Sequence, residues 1–128
     1  MPRARVAARA ACIAAAAALA CCTTAPLAPG EPRAVDRLVI APYTLHEQCA
    51  ELVVGERLDY RYQSSAPLDF DIRYREGNAV LSPIVRAHST ADSGIFTARV
   101  PARYCLDWQA GADGAMLAYR LLVHGNGG

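Results

Sequence analysis

From Val35 onward, apolar and polar residues alternate with a period of two, which is typical of half-buried β-strands. The clearest example is the segment 68–75, where leucine, phenylalanine, isoleucine and tyrosine alternate with aspartate and arginine. The same pattern predicts strands at 35–40, 57–63, 79–85, 95–100, 103–109 and 115–123. Turn-forming residues separate them at 55–56, 64–67, 76–78, 92–94 and 111–114. Short strands with regular turns predict an all-β protein, a sandwich or a barrel. Of the two we expect a small antiparallel β-sandwich of the jelly-roll kind.

Three local details follow from the same pattern. Pro83 interrupts the strand at 79–85, so this strand is predicted to lie at a sheet edge or to contain a bulge. The stretch 43–52 also tolerates a single helical turn. Strands 57–63 and 68–75 are predicted to form a hairpin centred on Ala66, which sets Asp59 opposite Arg73. If a sandwich sends these two strands to opposite sheets instead, that pair lies far apart.

Before the strands, the chain begins with Arg3, Arg5 and Arg9, followed by an alanine-rich run that ends in Cys21-Cys22. This order is typical of a secretory signal peptide, predicted here as a helix over 1–20. The run is too short to span a bilayer comfortably, which takes about 20 apolar residues. Ala18-Leu19-Ala20-Cys21 resembles the lipobox of bacterial lipoproteins, which implies that Cys21 carries lipid at the mature N-terminus. Lipidation at Cys22 and an ordinary secretory signal remain alternatives.

The resemblance also implies a location and a division of the chain. The residue after Cys21 is Cys22 and not the aspartate of an inner-membrane retention signal, so the expected place is the bacterial outer membrane, facing the periplasm. Three prolines and a glycine within 23–34 predict a disordered, flexible tether over 21–34. The sandwich domain is predicted at 35–124, with a flexible tail at 125–128. The membrane, reached through the lipid anchor, is the first expected partner.

Charge and length narrow the classes of function. The chain of 128 residues has 13 basic and 12 acidic residues, and without the signal's three arginines its net charge falls to about −2. A nucleic-acid-binding surface needs clustered basic residues, so no nucleic acid is expected as a partner. What remains after the signal is long enough for one domain only.

Two cysteines, Cys49 and Cys105, remain in the predicted domain. In an exported, oxidising compartment such a pair predicts a disulfide bond. Two separate buried thiols are the alternative. Metal binding is a weaker possibility, because neither cysteine belongs to a Cys-x-x-Cys or Cys/His cluster.

Three groups of residues could carry chemistry, but their spacing does not support it. His88, Ser89 and Asp92 have the residue types of a catalytic triad within a turn-like sequence. The other two groups are possible metal ligands without a ligand spacing: the histidines His46, His88 and His124, and the aspartates Asp69, Asp71, Asp107 and Asp113. We therefore predict no catalytic residue, no metal and no cofactor. The six tyrosines and Trp108 could line a ligand-binding face, although their alternation with aliphatic residues favours a core.

The order of several motifs resembles the GOLD domain, a β-sandwich of cargo receptors and lipid-transfer proteins. The motifs are Glu47-Gln48-Cys49, a glycine-led strand from Gly55 to Tyr62, the segment Tyr104-Cys105-Leu106-Asp107-Trp108, and a final strand around Tyr119-Arg120. The resemblance spans Val35 to Val123 and implies contact with proteins or lipids in place of catalysis. The family's second cysteine falls at the position of Asp107, which leaves a shifted disulfide pairing as an alternative.

These observations favour a lipid-anchored envelope protein whose sandwich is a non-catalytic binding or assembly module for an unknown protein or small ligand. Two alternatives remain. One is an envelope enzyme with a cryptic site, which predicts a cleft that gathers polar side chains from different strands. The other is a periplasmic inhibitor of a hydrolase, which predicts exposed binding loops.

The lipobox generates a direct prediction. Changing Cys21→Ser should abolish labelling of the protein by radioactive fatty acid, because the acceptor of the acyl chain is then absent. The matched variant Cys22→Ser should keep the label. Labelling that persists in Cys21→Ser and disappears in Cys22→Ser would place the cleavage site one residue later.

Overall fold

The computed structural model describes residues 25–126, and within this range all regular structure is β-strand. The predicted signal peptide, Cys21 and the last two residues lie outside the described residues. There are six strands, named β1 to β6 in chain order. Their bounds are β1 Arg33–Ile40, β2 Leu45–Leu52, β3 Arg57–Glu76, β4 Ala79–Thr97, β5 Ala102–Ala110 and β6 Ala115–His124. Residues 25–126 contain no helix long and apolar enough to cross a membrane.

All the strand pairs are antiparallel, in the order β1-β6-β3-β5-β2, and β4 pairs with β3 outside this path. The long strand β3 has two halves with different neighbours. Residues 57–64 pair with β6, whereas residues 68–73 pair with β5. Both halves also pair with β4, so β3 connects every part of the sheet.

The two halves of β3 face each other across the core. The ring centroids of Tyr60 and Phe70 are 5.3 Å apart, although ten residues of straight strand would separate them by roughly 33 Å. The strand therefore folds over between Gln63 and Leu68, where its register with β4 shifts. One layer contains β1, β6 and the first half of β3, and the other contains β2, β5 and the second half. The predicted all-β, sandwich-like fold is confirmed.

The predicted hairpin of 57–63 with 68–75 is wrong, because these segments lie in opposite layers. Asp59 lies opposite Leu122 and Ile95, whereas Arg73 lies opposite Cys105. The predicted turn at 92–94 is also wrong, since β4 runs through it while following β3 around the corner. The register of β4 with β3 is regular at 92–94 and shifts at 86–91, and the strained backbone of His88, at φ 55°, lies within that shifted stretch.

The core contains the inward-facing residues of both layers. Trp108 lies near its centre, stacked on Tyr119 at 4.6 Å and tilted against Phe70 at 5.5 Å. Alternate residues of β5, of β6 and of 58–62 and 68–72 in β3 are buried, as the alternation predicts. The aromatic residues of the core are Tyr60, Tyr62, Phe70, Tyr104, Trp108 and Tyr119. Their burial supports core packing over an aromatic ligand-binding face.

Part of the predicted tether lies against the domain. Leu27 is buried, and its N–H donates to the carbonyl of Cys49 at 3.0 Å in a parallel bridge beside β2. The N–H of Gly30 donates to the carbonyl of Val123 at 2.8 Å. One leucine among the prolines therefore supplies enough apolar surface to dock the segment. The stretch 43–52, where a helical turn was possible, contains the strand β2 from Leu45.

The predicted disulfide joins Cys49 and Cys105, which lie directly opposite each other on β2 and β5. Their Cα atoms are 4.0 Å apart, slightly closer than the usual range for a disulfide. Asp107 is in the next outward-facing row, opposite Glu47, so the shifted pairing with that position does not occur. In the chain-entropy model a loop of this length contributes about 4 kcal/mol to stability.

Two turn glycines provide a matched test of the packing between the β1–β2 and β5–β6 loops. Gly114 and Gly77 have positive φ values of 66° and 63°. A Cβ on Gly114 would lie 2.8 Å from the carbonyl oxygen of Ile40, whereas one on Gly77 would have nothing within 4 Å.

Both alanine variants should lose about 1–2 kcal/mol through the left-handed backbone. Gly114→Ala should lose about 1–3 kcal/mol more through the clash with backbone. Urea unfolding measures both free energies. Equal losses in the two variants would contradict the close contact at Gly114.

Candidate functional site

A groove of about 530 Å³ crosses the outer face of the layer formed by β6, the first half of β3 and β4. Two cross-strand rows form it, and Arg61 and Gln63 of β3 occupy their centres. Arg61 lies between Arg120 of β6 and Ser93 of β4. Gln63 lies between two alanines, Ala118 and Ala91. Because alanine and serine are short, the floor of the groove is open between longer polar side chains.

The two arginines of this groove are directly opposite each other in the ladder. Like charges in this position are unfavourable. Arg120 contacts Asp36 at 3.1 Å, but both side chains are more than half exposed, so this ion pair contributes little. Arg61 forms no salt bridge with any other residue in the range 25–126. One carboxylate, that of Asp92, also lines the groove, but it forms an ion pair with Arg86 at 3.1 Å, so Arg61 is left without a partner among the described residues.

This arrangement is suited to binding an anion. Guanidinium groups present planar sets of N–H donors that match carboxylate and phosphate oxygens. The hydroxyl of Ser93 and the amide of Gln63 add two further hydrogen-bonding groups on the same face.

A second cluster lies on the outer face of the other layer. Glu47, Asp107 and Asp71 form a continuous row across β2, β5 and β3. Asp107 is buried, and the Nε atom of Arg73 contacts its carboxylate from a direction that does not make a hydrogen bond. Arg73 also contacts Asp71 at 3.0 Å. Burial raises the pKa of Asp107 to about 7, and Glu47 acts in the same direction, while Arg73 opposes the rise.

This acidic row includes two of the four aspartates considered as metal ligands. The side chain of Asp69 instead accepts a hydrogen bond from the backbone N–H of His88 at 2.9 Å. Asp113 lies in the exposed β5–β6 loop. Glu47 lies near Cys49 and Cys105, but their sulfurs are joined in the disulfide and are not available as thiolate ligands. The guanidinium of Arg73 already provides a positive charge among these carboxylates.

The candidate triad residues have structural partners. The hydroxyl of Ser89 is 2.8 Å from that of Tyr62. Asp92 accepts a hydrogen bond from Tyr60 at 3.0 Å and forms an ion pair with Arg86 at 3.1 Å. Because Arg86 and Asp92 come from opposite layers, these contacts close the open β4 side of the sandwich.

The three histidines do not converge in the described part of the chain. His46 is half-buried, its Nε2 atom lies 3.0 Å from the hydroxyl of Tyr119, and burial lowers its pKa. His124 lies 3.6 Å from Asp59. His88 is at the corner of β4.

The chain matches no protein-family model, and no curated protein is similar enough in sequence to count as a relative. The groove must therefore be judged on its own geometry. Sequence reasoning missed it, because Arg61 and Arg120 are 59 positions apart and look like ordinary outward-facing residues of amphipathic strands. The pairing of β3 with β6 was the missing information.

The buried Asp107 predicts a specific dependence of stability on pH. Its pKa is about 7 in the folded protein, and an unfolded aspartate has a pKa of roughly 4. Between these values the folded state binds more protons, so this group's contribution to stability falls as the pH rises from about 4 to about 7.

In the variant Asp107→Asn this decrease of stability with rising pH should be absent, because asparagine does not ionise. Urea unfolding at a series of pH values measures the effect. The exposed Asp113→Asn is the control and should retain the parent's profile. A parent profile that rises through this window relative to Asp107→Asn would contradict the raised pKa.

Proposed function

We propose that this protein is a lipid-anchored envelope protein whose β-sandwich is a non-catalytic module that binds an anionic group in the Arg61–Arg120 groove. The observation that carries the proposal is the direct cross-strand placement of these two arginines in an open groove. A carboxylate or phosphate group on a ligand supplies the negative charge that the pair lacks.

The proposed location depends on the sequence. The basic start, the apolar run and the lipobox-like Ala18-Leu19-Ala20-Cys21 support export and anchoring in the bacterial outer membrane. The disulfide between Cys49 and Cys105 is compatible with an oxidising compartment. The resemblance to the GOLD domain, whose members contact proteins or lipids, agrees with a binding role.

Two features favour binding over an enzyme. The carboxylate of Asp92 and the hydroxyls of Tyr60, Tyr62 and Ser89 near the groove are engaged with one another in the pairs Tyr60–Asp92 and Tyr62–Ser89. The arginine pair also lowers the stability of the fold, and a destabilising arrangement of this kind is often explained by function.

The test combines binding with stability. Inorganic phosphate and succinate are titrated into the purified protein, and binding is followed through backbone NMR shifts of β3 and β6. Arg61→Gln and Arg120→Gln should each weaken binding about tenfold or more, because a hydrogen bond to a charged group contributes about 1.5–3 kcal/mol. Without ligand, each variant should gain about 0.2–1 kcal/mol in unfolding free energy, since the like-charge pair is removed.

The control is Arg103→Gln, on the outer face of the other layer, where Arg103 contacts Glu51 at 3.4 Å. It should bind both anions as the parent does. Binding that is unchanged in both groove variants, or shifts that do not map to β3 and β6, would overturn the assignment of the groove.

A further inference from the structure

Four of the ten exposed large apolar side chains among the described residues lie at one end of the sandwich. This end contains the β1–β2 loop, 41–44, and the β5–β6 loop, 111–114, and we name it the loop end. Val39 and Met116 lie directly opposite each other beside it, and Leu45 begins β2 there. Tyr43 is at the tip of the β1–β2 loop and is 72% exposed.

The loop holds Tyr43 outward by a strained but well-bonded backbone. Its φ is 60°, which is unusual for a bulky side chain. The N–H of Tyr43 donates to the carbonyl of Gly111 at 3.1 Å, and Thr44 closes the turn onto Ala41 through its N–H and its hydroxyl. The backbone thus holds Tyr43 at the exposed tip of the loop, and strain of this kind is concentrated at functional positions.

The direction of the N-terminal segment relates this end to the lipid anchor. Leu27 lies parallel to β2 beside Ala50, and the side-chain amide of Gln48 donates to the carbonyl of Ala25 at 3.3 Å. From Leu27 back to Ala25 the chain therefore runs toward the start of β2, which is the loop end.

The reach of the preceding residues is limited. Four Cα-to-Cα steps lead from Cys21 to Ala25, and they span at most about 14 Å. Along β2, Leu45 is roughly 10 Å from Gln48, and Val53 is roughly 17 Å away in the opposite direction. The backbone of Cys21 can therefore extend past the plane of the loop end, whereas even fully extended it ends about 3 Å short of the plane of the opposite end.

We propose that the loop end rests on the lipid bilayer that holds the anchor, with Tyr43 and Leu45 in the interface between headgroups and acyl chains. This inference rests on the proposed lipidation of Cys21. Tyrosine favours such an interface, because its ring is apolar and its hydroxyl remains hydrated. The exposed carboxylate of Asp113 in the same region repels anionic headgroups. We therefore expect the loop end to contact a bilayer of zwitterionic lipid without any anionic lipid.

The experiment uses the full, lipidated protein reconstituted into phosphatidylcholine vesicles that contain a photoactivatable lipid. After illumination, mass spectrometry locates the cross-linked peptides. We expect the peptides that contain Tyr43, Leu45 and Met116 to carry most of the label. Val53 and Val54 are an internal control, because they are 53% and 54% exposed at the opposite end.

A double variant, Tyr43→Ser with Leu45→Ser, should lose most of the labelling at the loop end while it stays bound to vesicles through its lipid. The matched variant Val53→Ser with Val54→Ser should be labelled as the parent is. Labelling centred on 53–54, on β4, or on no peptide would overturn the proposed orientation.

The mass of the intact protein distinguishes a wrong orientation on the bilayer from the absence of the lipid anchor. If the protein carries the mass of the lipid and labels elsewhere, only the orientation is wrong. If the lipid mass is absent, the anchor and the orientation both fail, whereas the Arg61–Arg120 groove is still tested by its own titration.

Discussion

The packing of Tyr60 against Phe70 is the contact on which this fold depends. Both residues belong to β3, so their 5.3 Å separation requires the strand to fold over and to enter both layers. The corner is stabilised locally: the hydroxyl of Ser64 donates to the carbonyl of Ala66, and that of Ser65 accepts from the N–H of Met116. β4 must follow the same corner, since it pairs with β3 along nearly its whole length.

This corner explains why polar residues close one side of the sandwich. Opposite the inward-facing residues of β3 on either side of the corner, β4 has small or polar residues in place of large apolar ones, and Gly94 lies against the ring of Tyr60. The tyrosine hydroxyls then reach the edge and need partners, which Asp92 and Ser89 provide. Arg86 joins Asp92 across the layers. Residues that look catalytic in the sequence therefore provide hydrogen-bond partners for the tyrosine hydroxyls at the edge of the folded-over strand pair.

The sequence predicts the fold class and the disulfide, because alternation and cysteine count are local properties of the chain. It does not predict that 64–67 is a corner within one strand, since a hairpin turn and a layer change use the same residue types. The groove depends on the pairing of β3 with β6, so the proximity of Arg61 and Arg120 could not be predicted from the sequence. Leu27 was missed because a single leucine among prolines gives no periodic signal.

On each outer face, side chains of like charge lie next to each other, and the chain compensates the two groups differently. On one face, Glu47, Asp107 and Asp71 lie in one row, and the chain relieves their repulsion by the ion pairs of Arg73 and by the raised pKa of Asp107. On the other face, Arg61 and Arg120 repel each other, and arginine cannot relieve this by losing a proton near neutral pH. The described residues give Arg61 no carboxylate of its own. The acidic row is thus compensated within the chain, whereas in the basic pair only Arg120 has a carboxylate partner, Asp36, among the described residues. This difference is the basis of the proposed anion binding.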